Sequence, residues 1–92
     1  MPTYPFKIPL CPYTSKRDAR KRDTWITFSK ELEDYINREL EASNEETVTF
    51  TYGLVALHLN IPLEVVTDML NLAYGGHTGI RIITRKGAEK GS

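Results

Sequence analysis

The chain has 92 residues, 40% of them hydrophobic and 26% charged, which suits one small globular domain and leaves no room for a second. No apolar stretch is long enough to span a bilayer, and no secretory signal is read at the start. The single cysteine, Cys11, cannot form an internal disulfide, so a cytoplasmic location is expected. Net charge is zero, which argues against a simple nucleic-acid binder, but its distribution is uneven. Residues 1–30 carry seven Lys/Arg against two Asp/Glu, residues 31–68 one against nine, and residues 69–92 four against one. Basic ends therefore flank an acidic middle and mark where a polyanion would dock.

Residues 1–24 read as an extended arm, proline-rich and then basic. Pro2, Pro5, Pro9 and Pro12 each remove a backbone donor and bias the preceding residue to extended geometry. Tyr4, Phe6, Ile8, Leu10 and Tyr13 make this stretch too apolar for a free tail. Part of it is expected to lie on the domain or on a partner subunit. Residues 16–22 then carry five cations and one carboxylate, Asp18, where a helix would begin.

Residues 25–84 read as the folded domain. Trp25-Ile-Thr-Phe leads into a helix with Ser29 as N-cap and Glu31 in its first turn. Phe28, Leu32, Tyr35, Ile36 and Leu40 form its buried stripe. Thr47–Thr51 alternates and is rich in β-branched residues, which predicts a strand. Two apolar helices follow, over about Tyr52–Leu59 and Pro62–Tyr74. Asn60 tolerates the left-handed turn between them, and Pro62 suits the first turn of the second helix. Gly75-Gly76 stops that helix, and Ile80–Thr84 is a second strand, expected to pair with the first. Residues 85–92 read as a small polar tail.

Residues 52–71 resemble the helix-turn-helix motif. Ala56 is the small residue that lets the second helix cross closely, Asn60 takes the turn, and Ile61 plugs the corner. Val66 and Leu70 pack back from the second helix. The preceding helix and the strands at Thr47–Thr51 and Ile80–Thr84 resemble the winged form, with the wing reduced or absent. The expected fold class is mainly α with a small β component. Trp25-Ile-Thr-Phe-Ser-Lys-Glu-Leu also resembles the strand-to-helix start of a ribbon-helix-helix dimer, although that fold has no role for Thr47–Thr51.

The winged resemblance implies a small transcriptional regulator that binds double-stranded DNA as a homodimer over two half-sites. Helix 62–74 would enter the major groove, presenting Leu63, Glu64, Thr67, Asp68 and Asn71 outward, with Thr67 and Asn71 reading base edges. Two carboxylates and no cation on that face make it a poor phosphate binder alone. Charge would come from Arg81, Arg85 and Lys86 near the wing and from Arg17, Arg20, Lys21 and Arg22 in the arm. The bland alternative for the arm is a solvated helix face paired with the acidic first helix. Thr51 and Tyr52 are candidate phosphate contacts at a helix start.

The alternative function is a protein-interaction module, favoured by the acidic helix face, by Val65 and Leu72 if exposed there, and by an apolar arm able to reach a partner. The sequence points to no enzyme. His77 sits in Gly75-Gly-His-Thr-Gly79, which lacks the preceding strand and the Lys-Ser/Thr of a phosphate loop. Cys11, His58 and His77 have no recognisable metal spacing, and no nucleophile and base pair up. Neither a cofactor nor a metal is expected.

Overall fold

Residues 16–42 contain no glycine or proline, so a helix begun at the basic segment meets no breaker for its whole length. In the computed structural model, which describes residues 5–84, a short 3-10 turn at Lys16–Asp18 runs directly into α1, Ala19–Ala42. The helix starts ten residues before the expected cap, and Ser29 lies inside it. The reason is Trp25, which extends the buried stripe of Leu32, Ile36 and Leu40 back by two turns. The expected boundary between residues 24 and 25 thus falls within α1. Trp25–Phe28 is helical, which removes the strand that a ribbon-helix-helix protein requires.

Beyond α1 come β1 (Thr47–Thr51), α2 (Tyr52–Leu59), α3 (Leu63–Tyr74) and β2 (Ile80–Thr84). The strands form a two-stranded antiparallel sheet, in register from Thr47 opposite Thr84 to Thr51 opposite Ile80. Period-two alternation turns Phe50 and Ile83 into the core. The described residues therefore make a mainly helical α+β fold, with three helices and one small sheet.

The turn between α2 and α3 follows the residue logic expected of it. Asn60 is left-handed at φ 59°, ψ 43°, and the Ile61 N–H donates to the Ala56 carbonyl at 3.0 Å. Ala56 and Ile61 are both buried. Pro62 stands just before α3 rather than within its first turn. Its carbonyl accepts from the N–H groups of Val65 (3.0 Å) and Val66 (3.2 Å). At the other end Gly75 and Gly76 take φ of +89° and +84°, a region that side-chain-bearing residues rarely enter, and α3 stops there.

The arm lies on its own domain. Phe6 is completely buried and stacks on Tyr74 with ring centroids 5.4 Å apart. An extended proline-rich segment cannot satisfy its own backbone, and α1 side chains do so instead. Asn37 accepts from the Phe6 N–H (2.7 Å) and donates to the Phe6 carbonyl (3.0 Å). Glu33 accepts from the Ile8 N–H at 3.0 Å, and the Trp25 indole donates to the Pro9 carbonyl at 3.2 Å. Phe6 and Tyr13 are thus spent within the fold rather than offered to a partner, and Tyr4 lies outside the described residues. Among the described residues, no helix is long and apolar enough to cross a membrane.

Candidate nucleic-acid interface

The first turn of α1 carries Arg20, Lys21 and Arg22 and no acid, while its last turn carries Glu39 and Glu41 and no base. Both ends oppose the helix macrodipole, which favours acids at the N-terminus and bases at the C-terminus by about 0.3–1 kcal/mol each. Helix stability therefore does not account for this placement.

α1 is about 36 Å long at 1.5 Å per residue. Its basic and acidic ends are thus separated by several Debye lengths, each about 8 Å at physiological salt. They do not cancel in solution, and a net charge of zero does not argue against an anion-binding end.

That basic end adjoins the start of α3. Arg17, Arg20, Lys21 and Thr24 face Pro62, Glu64 and Val65 across an open groove of about 320 Å³. Arg17 and Arg20 are exposed, and neither side chain has an ion pair with a described residue. Lys21 pairs with Glu64, and that hydrogen bond raises the Lys21 pKa above the ordinary lysine value. Arg22 instead braces the arm, donating to the carbonyls of Tyr13 (3.1 Å) and Ser15 (3.3 Å). The bland alternative for this segment is met only in part, because Lys21 pairs with α3 and not with the acids of α1.

Both carboxylates on the outward face of α3 are held by residues from the N-terminal segment. Glu64 has Lys21, and Asp68 accepts from the Tyr13 hydroxyl. Tyr13 sits edge-on to Trp25 at 5.4 Å, with the Lys21 ammonium 5.7 Å from its ring centroid. Burial, with the bond to Asp68 second, pushes the Tyr13 hydroxyl well above its usual range. Sequence reasoning missed Tyr13 as a partner of α3. Its partner lies 55 residues away, and no local signal connects the two.

Leu63 is exposed at the start of α3, and Thr67 is half-buried one turn further on. Three other expected contacts are joined in one network, in which Tyr52 is buried and Asn71 and Arg81 are half-buried. Tyr52 is only 1% exposed, and its hydroxyl donates to Asn71 Oδ1 at 3.0 Å. Arg81 donates through Nε to the Tyr52 hydroxyl (3.2 Å) and through Nη2 to Asn71 Oδ1 (3.2 Å) and the Gly75 carbonyl (2.7 Å). Its guanidinium also lies 5.2 Å from the Tyr74 ring centroid. The cause is strand parity: Arg81 pairs with Phe50 and shares the inward face of β2 with Ile83. Tyr52, Asn71 and Arg81 are thus tied to one another.

Thr51 is half-buried where β1 meets α2, and its side chain makes no cap hydrogen bond. Val65, expected on the surface, is 2% exposed because it joins Val66, Met69 and Leu70 in the buried stripe of α3. Leu72 is exposed. Arg85 and Lys86 lie outside the described residues.

His58 is exposed on α2 with its ring 5.2 Å from Tyr35, and the loop at 75–79 is exposed throughout. Among the described residues, no three His, Cys, Asp or Glu side chains gather where they would hold a metal ion. Comparison with protein-family models, with curated proteins and with solved structures found no match for this chain.

Proposed function

We propose that this chain is a small DNA-binding protein of the winged helix-turn-helix kind, with a reduced wing, and that it acts as a transcriptional regulator in the cytoplasm. The observation that carries the reading is the basic end of α1, set against its own helix dipole and lining a groove with the start of α3. Lys16, Arg17 and Arg20 supply phosphate contacts there, in place of Tyr52 and Arg81. Leu63, Glu64 and Thr67 are then the α3 side chains nearest base edges, and Glu64 is able to accept from cytosine N4. The pairing of Glu64 with Lys21 and of Asp68 with Tyr13 lessens the repulsion that two bare carboxylates would exert on phosphate. The role needs no catalytic group, metal or cofactor.

The test is fluorescence anisotropy of a labelled random duplex against protein concentration, at low and at moderate salt. Affinity should fall steeply as salt rises, by about 0.9 logarithmic units per tenfold of salt for each phosphate neutralised. A second reading, a protein-interaction module, is favoured by Leu63 and Leu72, which stay exposed on α3. Folded protein that leaves the duplex unbound at low salt would select that reading.

A further inference from the structure

The two carboxylates on the outward face of α3 are held by partners of opposite character. Asp68 is half-buried and accepts from the Tyr13 hydroxyl, a neutral donor whose ring packs edge-on against Trp25. That bond belongs to the seating of the arm, and a phosphate gains no counter-charge by taking the hydroxyl. Glu64, one turn closer to the start of the helix, is held by the Lys21 ammonium in the open groove that Arg17 and Arg20 also line. The Glu64 side chain is 65% exposed and that of Lys21 34%, so water reaches the pair and it is held weakly. A lysine is a point charge on a flexible stem, and any phosphate entering the groove competes with Glu64 for it.

The cost of that exchange depends on the base beside it. Once Lys21 turns to a phosphate, Glu64 is left as a bare carboxylate against DNA, which is unfavourable unless another donor replaces the ammonium. Cytosine offers the major groove its N4 amine and no acceptor. Adenine sets its N6 amine beside the N7 acceptor, and guanine and thymine present acceptors there. Resting on the DNA-binding reading above, we propose that the Lys21–Glu64 pair is a specificity gate: Lys21 passes from Glu64 to a phosphate only where a cytosine amine takes its place on the carboxylate. Lys21 is then a specificity-determining residue although it lies on α1, outside the two helices of the turn motif. The gate makes the number of phosphates neutralised depend on base sequence, which a fixed structural ion pair does not do.

Anisotropy over a salt series tests the gate with two labelled duplexes of equal length, one alternating dG and dC, the other alternating dA and dT. The wild type should bind the dG–dC duplex about fivefold or more tighter. Its salt slope there should be steeper by about 0.9, the share of one further phosphate. Glu64→Gln frees Lys21 on every sequence, so the dA–dT slope should rise to match the dG–dC slope. Lys21→Ala should bring the two slopes together at the shallower value. Circular dichroism checks that each variant folds, and one folded variant is enough to decide the matter. Equal wild-type slopes on the two duplexes, or a slope difference that survives in a folded variant, would overturn the gate and leave DNA binding in place. Folded wild type that binds neither duplex would overturn the DNA-binding reading and the gate together.

Discussion

Two groups of cations sit within this small molecule, and the fold treats them in opposite ways. Arg81 is enclosed by Tyr52, Asn71, the Gly75 carbonyl and the ring of Tyr74, which in turn stacks on Phe6. Arg17 and Arg20 stand in solvent beside the start of α3 with no described ion-pair partner. The same residue type is a structural clamp in one place and an unspent charge in the other. What separates them is strand parity and position along a helix, not composition. Substitutions in the first region should therefore cost stability, and substitutions in the second should cost binding alone.

The largest expected effect falls on the first region. Phe6→Ala removes a fully buried ring from the stack on Tyr74 and should destabilise the fold by about 3–5 kcal/mol in urea unfolding. A loss under about 1 kcal/mol would mean that the arm is not part of the core. Arg81→Ala should cost about 2 kcal/mol, since it leaves Asn71 and the Gly75 carbonyl without a charged donor. DNA affinity of the protein that remains folded should stay unchanged.

Tyr13→Phe is a milder change. It should cost about 1 kcal/mol through the lost bond to Asp68, and it exposes a carboxylate to DNA. It also reads out through pH. Burial raises the pKa of both Tyr13 and Tyr74 above the ordinary value of 10.0, so the unfolded chain loses these protons first. Their contribution is complete below about pH 10 and is lost as pH rises beyond it toward the folded values. The melting temperature of the wild type should accordingly drop above pH 10, and Tyr13→Phe should shrink that drop.

The smallest effect has the opposite sign. Arg20→Glu restores an acid to the first turn of α1 and should stabilise the helix by about 0.3–1 kcal/mol while abolishing DNA binding. A variant that is more stable and inactive would separate the two regions as no alanine substitution can.

Much of this arrangement is legible in the sequence. Asn60 and Gly75-Gly76 place the turn and the end of α3, because few residues tolerate the backbone found there. The two strands follow from their alternation and pair as expected. The inward turn of Arg81 was not legible, because Ile80 and Ile82 lie on one face of the strand and Ile83 on the other, and only the packing of Ile83 in the core shows which face is buried. The start of α1 was legible only in part: the basic segment 16–22 was expected to begin a helix, but Ser29 mimics a cap, and the burial of Trp25 shows that one helix runs through both. The partners of Glu64 and Asp68 were not legible. Lys21 and Tyr13 reach them across 43 and 55 residues of chain, and contacts at that range leave no periodic trace.

The central claim is that the exposed cations at the start of α1, and not Arg81, engage nucleic acid. The most direct test measures duplex binding by anisotropy over a salt series for the wild type, for Arg17→Ala/Arg20→Ala and for Arg81→Ala, each checked for folding. The account predicts that the double variant binds more weakly to every sequence and lowers the salt slope by about 1.8, while folded Arg81→Ala matches the wild type. A double variant that binds like the wild type, beside an Arg81→Ala that does not, would contradict it.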